Sequence, residues 1–198
     1  MKTKVLVGIT GSFCNHELVL KELSKLTNDF EYTFVFTENV VKLDTRFSLA
    51  KDFYIKCRNL TENEIITNII EAEKVGPLNS FDIMVIVPCT ANSLSRLVNG
   101  AYDCPVSLCA KAMIRNSKNV VVGISSNDIL GLSGINLMKL INLKNFYILP
   151  IYQDDPIHKP NSCTSDYSYI KESVLKALKN EQIQPILKEK KWKNYMLH

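Results

Sequence analysis

None of the six cysteines in this 198-residue chain stands in a CxxC or CxxH spacing, and histidine occurs only three times, as His16, His158 and His198. No metal site is therefore expected, because ligand spacing of that kind is what holds zinc or a related ion. Cys14, Cys57, Cys89, Cys104, Cys109 and Cys163 read as reduced thiols used as small core hydrophobes. Lys2 and Lys4 precede an apolar run of only residues 5–9, too short for a signal h-region or a membrane span. The expectation is a cytoplasmic protein. A dinucleotide fingerprint is missing too. Gly8-Ile9-Thr10-Gly11-Ser12 lacks the GxGxxG spacing, and no acidic residue stands before Thr37 to hold a ribose. Charge is nearly balanced, at 24 Lys+Arg against 20 Asp+Glu. Part of the small positive excess lies in Lys188, Lys190, Lys191 and Lys193 around Trp192. A patch for nucleic acid or a membrane surface is one reading of that cluster. The preferred one is a solvated tail able to dock on a neighbouring protomer, with neither nucleic acid nor membrane as partner.

What is present is alternation. Short apolar runs at 5–9, 32–37, 83–87, 119–124 and 146–150 read as buried strands. Helical spacing separates them: Leu18, Val19, Leu23 and Leu26, most of 38–57, and a capping-box signal at Thr61-x-x-Glu64 ahead of Ile65, Ile66, Ile69 and Ile70. Further helices are expected behind Ser93, from an Asp103 N-cap with Pro105 through Met113, over 133–141 and over 167–178. Residues 152–165, with prolines, two aspartates and a lysine, read as a long polar loop, a kind that is more often functional than padding. The fold class that follows is α/β: a doubly wound, mostly parallel sheet, Rossmann-like or flavodoxin-like, with helices on both faces. A single domain is expected over 1–187, with a basic tail at 188–198.

Such sheets bind ligands outside the carboxyl ends of their strands. Four polar clusters fall there: Thr10-Gly11-Ser12, Thr37, Thr90-Ala91-Asn92-Ser93 and Ser125-Ser126-Asn127. Gly11 lets backbone come close to a phosphate and Ser12 offers a hydroxyl, whereas Thr37 is equally an ordinary strand-end residue. Thr90, Asn92 and Ser93 precede a helix whose free N–H groups and dipole favour negative charge, and capping needs only one of the three. No nucleophile–base pair can be read, so catalytic residues stay unassigned. His16 and His158 read as exposed, incidental histidines. Lys159 could hold an anionic substrate, although a surface lysine is the default. The residues alone lead to a ligand carrying a small anion, a mononucleotide cofactor.

Pro88-Cys89-Thr90-Ala91-Asn92-Ser93 resembles the PASANT-like motif of the homo-oligomeric flavin-containing cysteine decarboxylase family. Three longer blocks, 86–116, 124–137 and 149–162, are similar to one branch of it, the B subunits of dipicolinate synthases. The resemblance implies FMN as cofactor, with Cys89 and Ser125 joining Gly11, Ser12, Thr37, Thr90, Asn92 and Ser93 around it. It also implies a homo-oligomer and oxidation of dihydrodipicolinate to the spore chelator dipicolinate. An A subunit, which carries the NAD(P) site, would be the partner. Ser126, Asn127 and Lys159 are the candidates for the substrate's two carboxylates. Two departures weigh against the wider family's decarboxylation. Residues 71–81 hold no histidine, and of its Pro-Ala-Met-Asn only Asn127 survives in Ile124-Ser125-Ser126-Asn127. An FMN-dependent decarboxylase of another small acid or thiol peptide, and a non-catalytic flavin-binding or structural subunit, stand as the competing readings.

Overall fold

The computed structural model describes residues 2–189. The expected tail from residue 190 on lies outside the described residues. Five of the short apolar runs form strands: β1 (Thr3–Ile9), β2 (Phe30–Phe36), β3 (Ile83–Cys89), β4 (Asn119–Ser126) and β5 (Phe146–Ile148). β1 pairs in parallel with β2 and β3, and β4 in parallel with β3 and β5. Strand side chains alternate between faces. Met84 and Ile86 of β3 accordingly enter one core, and Ile83, Val85 and Val87 the other. Burying such a side chain stabilises the fold by roughly 1.5–3 kcal/mol.

Helices cover both faces. On one lie α1 (His16–Ser24), α2 (Glu38–Lys42), α3 (Ala50–Arg58) and α9 (Ile170–Ala177), which bury Val19, Leu23, Val40, Phe53 and Val174. On the other lie α4 (Ile69–Glu73), α5 (Val75–Leu78), α6 (Ala91–Asn99), α7 (Pro105–Arg115) and α8 (Gly134–Asn142), which bury Ala72, Val75, Leu94, Met113 and Leu140. α6 ends at Gly100, whose φ of 70° is left-handed backbone that glycine adopts without strain. The doubly wound, mostly parallel architecture expected of the sequence is the one observed. Among the described residues no helix is long and apolar enough to cross a membrane.

Four local expectations change. Residues 38–57 are not one helix: α2 stops at Lys42, and residues 43–49 cross to α3 without helical structure. Thr61 starts no helix. Its hydroxyl and the Asn63 amide both donate to the Tyr32 carbonyl, at 2.5 and 2.8 Å. Ile66 then bridges Val35 along the outer edge of β2, where unpaired backbone groups need partners. The cap belongs instead to Asn68, which accepts from the Glu71 N–H (3.0 Å), while the Glu71 carboxylate accepts from the Thr67 N–H (2.8 Å). Asp103 caps nothing. Arg96 draws its carboxylate to 2.8 Å, and the N-cap position of α7 falls to Cys104.

The fourth change positions the site. The long polar loop begins and ends in strands, β6 (Ile151–Gln153) and β7 (Cys163–Ser165), which pair antiparallel. β7 also runs antiparallel to the end of β4, Ser125↔Thr164 and Ser126↔Cys163. The sheet thus has seven strands in the order β2-β1-β3-β4-β7-β6, with β5 beside the first half of β4. Beyond the last helix the chain returns to the edge of β6. Ile151 donates to Ile186 and accepts from Lys188, whose ammonium lies 2.6 Å from Asp166 and 4.2 Å over the Tyr169 ring.

Candidate functional site

All four polar clusters open onto one cleft of about 880 Å³ at the carboxyl ends of the strands. Thr10 ties the first turns together. Its wholly buried hydroxyl donates to the Pro88 carbonyl (2.7 Å) and accepts from the Thr90 N–H (3.0 Å). Thr90 in turn accepts from the Ser93 N–H and caps α6. This leaves the N–H groups of Ala91 and Asn92, both cleft-lining residues, without helical acceptors. The Ser12 hydroxyl lies 2.6 Å from that of Ser125, and the Asn15 amide donates to the same Ser125 oxygen at 2.6 Å. At Gly11 a β-carbon would come 3.6 Å from the Phe13 ring and 3.9 Å from Asn39, both of which line the cleft. Both are ordinary contact distances, so a β-carbon would fit there without displacing either side chain.

The opposite wall is the end of β4 with the β6–β7 hairpin. It brings Ser126, Asn127, Tyr152, Asp154, Lys159 and Thr164 to the cleft. The turn between the strands is braced from within. Gln153 donates to the Pro160 carbonyl (2.7 Å), and Asp155 accepts from the His158 N–H (3.1 Å), which holds its carboxyl below the usual range. Beneath it, burial pushes the Tyr167 phenol well above its ordinary value. A third side comes from residues 43–49, where the Arg46 guanidinium sits 4.8 Å over the Phe47 ring. Two buried side-chain oxygens at the cleft, on Thr37 and Asp154, have no hydrogen-bond partner among the described residues.

Of the eleven candidates from the sequence, Gly11, Ser12, Thr37, Thr90, Asn92, Ser93, Ser125, Ser126, Asn127 and Lys159 converge on this cleft. Cys89 does not. As the last residue of β3 it turns its thiol into the core shared with Leu94 and Ile124, and burial raises the thiol far above the reactive range. His16 is also corrected: it is 3% exposed, not a surface histidine. Its Nε2 lies 2.8 Å from the Thr10 carbonyl and its ring stacks on Phe53, with centroids 4.3 Å apart. A carbonyl only accepts, so Nε2 carries the hydrogen, and burial pulls the group below its ordinary value. His158 is exposed and belongs to the brace of the hairpin. Arg46, Phe47, Asn15 and Asp154 escaped the sequence reading. Only Asp154 carried a signal there: an acidic residue directly after a short β-branched and aromatic run.

The sequence profile of the Flavoprotein family matches residues 1–180. The chain belongs to the Flavoprotein family. It is 45% identical over 183 residues to a relative from Bacillus subtilis (strain 168) named as the B subunit of dipicolinate synthase, covering 92% of each chain. The crystal structure of the dipicolinate synthase B subunit from Bacillus halodurans C matches with a TM-score of 0.87 and 41% identity, over 96% of this chain and all of that one. The fold, and only the fold, is shared with a dodecameric FMN-dependent Ubix-like decarboxylase from Escherichia coli O157:H7, at a TM-score of 0.60, 19% identity and 75% and 80% coverage. In this Flavoprotein-family chain none of residues 71–81 lines the cleft.

Chemically, the first wall offers hydroxyls and free amides suited to a phosphate. The hairpin wall offers one cation and one carboxylate, at Lys159 and Asp154, that among the described residues have no ion-pair partner.

Proposed function

We propose that this chain is the flavoprotein-like B component of a dipicolinate synthase, which oxidises dihydrodipicolinate to dipicolinate together with an A subunit during sporulation in the cytoplasm. Identity of 45% along 92% of both chains to a relative of that name carries the reading. The cofactor on this chain is FMN, and the NAD(P) site is on the A subunit. Gly11, Ser12 and the turn from Thr90 to Ser93 hold the phosphate, and the unsatisfied Thr37 hydroxyl with Ser125 receives polar atoms further along the molecule. The unpartnered Thr37 oxygen is the best sign of fit, because a buried hydroxyl left unpaired is costly unless a ligand completes it. When bound, the flavin supplies a two-electron acceptor. The chain's own residues orient the ring for loss of a hydride equivalent. Lys159, Ser126 and Asn127 hold the two carboxylates by charge-assisted and neutral hydrogen bonds. The domain spans 1–187 and assembles as a homo-oligomer. A thiol-peptide or small-acid decarboxylase is disfavoured by the absence of any histidine in 71–81 and by a hairpin wall carrying Lys159 and Asp154.

The test is to purify the chain, record its visible spectrum, titrate it with FMN, and follow dihydrodipicolinate oxidation with and without an A-type partner. Saturable flavin binding and partner-dependent oxidation are expected. A colourless protein that FMN cannot saturate ends the cofactor reading, and loss of carbon dioxide from a thiol peptide would replace the reaction.

A further inference from the structure

We infer that the Asp154 carboxylate accepts the ring proton when the dihydropyridine dicarboxylate is aromatised, an inference that rests on the reaction proposed above. The sheet places it there. β7 is antiparallel to both β4 and β6, so β6 runs in the same direction as β4. Asp154 directly follows β6 and therefore stands at the carboxyl end of one more co-directional strand, in line with the four turns already in the cleft. Its surroundings make it available. Oδ1 is fully buried and has no hydrogen-bond partner among the described residues. The other acids of this region are engaged: Asp155 with His158, Asp166 with Lys188 and Ser168, and Asp128 with Ser133. A buried carboxyl oxygen without a partner is a costly arrangement that packing alone does not require.

The neighbouring titratable groups point the same way. Burial, and then the charge of Asp154, push the Cys163 thiol up; burial with Asp166 and Asp154 does the same to the Tyr152 phenol, against a small opposing pull from Lys188. Both therefore stay protonated, and Asp154 is the carboxyl group that this wall turns to the cleft. Lys159, on the same hairpin, supplies the opposite charge needed to admit a dianionic substrate beside an anionic base.

The balance is simple. Aromatisation removes two hydrogens from the ring. One leaves with its bonding pair as hydride, to an acceptor of the flavin or nicotinamide class. The other leaves as a proton to an Asp154 oxygen, and its bonding pair stays in the ring to complete the aromatic sextet. The reduced acceptor and a protonated Asp154 remain, and the proton then passes to water.

The experiment compares wild type with Asp154→Asn and Asp154→Glu, each with the A-type partner, and uses dipicolinate itself as a binding probe on the chain alone. For Asp154→Asn, kcat is expected to fall by roughly 10²- to 10⁴-fold, the span of general-base catalysis, with the acidic limb of the kcat/KM profile lost. Dipicolinate binding should be unchanged or tighter, since a repelling charge has gone. Asp154→Glu should keep the limb and part of the rate. Wild-type kcat in Asp154→Asn overturns the inference, as does weakened dipicolinate binding with kcat intact, the mark of a mere positioning role. If the amide variant loses the native melting transition, Asp154→Glu decides alone, a wild-type rate with an unshifted limb counting against the inference. Wild type unable to oxidise dihydrodipicolinate would remove the underlying reading as well, an outcome distinct from an active wild type and an equally active variant.

Discussion

On one side of the cleft hydroxyls satisfy each other: Thr10 bridges Pro88 and Thr90, and Ser12 and Asn15 meet at Ser125. On the other side Asp154 keeps an oxygen without a partner among the described residues, as Thr37 does on the first, and Lys159 stands exposed at the tip of a hairpin. The first wall is drawn from the turns after β1, β2 and β3 with Ser125 of β4, and apart from Thr37 its hydroxyls are paired before any ligand arrives. The second hangs on a short antiparallel addition to β4. A cofactor that must be held in one geometry is served by a closed polar network. A substrate that must enter, lose charge-balanced groups and leave is served by charges that are not already spent on one another.

Breaking the first wall should have the largest effect. Ser12→Asp puts a carboxylate where a phosphate is proposed and should weaken FMN binding by about a hundredfold or more, given roughly 4 kcal/mol between unit charges 4 Å apart near a protein surface. A fluorescence titration of the apoprotein measures it, and unaltered affinity would move the phosphate elsewhere. Thr10→Val leaves the buried Thr90 N–H without its acceptor and should cost about 2 kcal/mol of stability, read from urea unfolding. A loss well under that would mean the two turns are held by something other than Thr10.

Next comes the hairpin wall. Lys159→Ala should lower dipicolinate affinity about tenfold, the worth of a hydrogen bond to a charged group, and leave the FMN titration unchanged. Equal loss of both ligands would erase the distinction between the walls. The smallest effect concerns the support under the first wall. His16 is held below its ordinary 6.5, so as pH falls toward its native value the unfolded chain takes up a proton that the native chain does not. Stability should therefore rise with pH up to about 6.5 and level off above it, and His16→Gln should flatten that slope. Thermal unfolding of both proteins between pH 5 and 8 reads the difference; an unchanged slope would assign the dependence to other groups.

Much of the first wall was legible because its signals are local. Thr90 caps the helix that begins one residue later, and Gly11-Ser12 follows its strand directly. Where expectation and structure part, the deciding contact is distant in sequence. Thr61 fits a capping box until the free edge of β2 competes for the segment. His16 looks exposed until the Thr10 carbonyl and the Phe53 ring close on it. Cys89 sits inside a ligand-like motif, yet the register shift between Ile86 and Cys89 in β3 puts its thiol on the Met84 and Ile86 side, in the core.

By itself, the sequence determined the class of fold, the parallel strands and the four turns that meet at the cleft, since apolar period and turn chemistry are properties of neighbouring residues. Only the tertiary structure decided which charges face the cleft. Asp154 and Lys159 reach it because Cys163 and Thr164 pair with Ser126 and Ser125, far back along the chain. That pairing depends on closing a long loop against the free half of β4, a contact whose cost and reward no local pattern records.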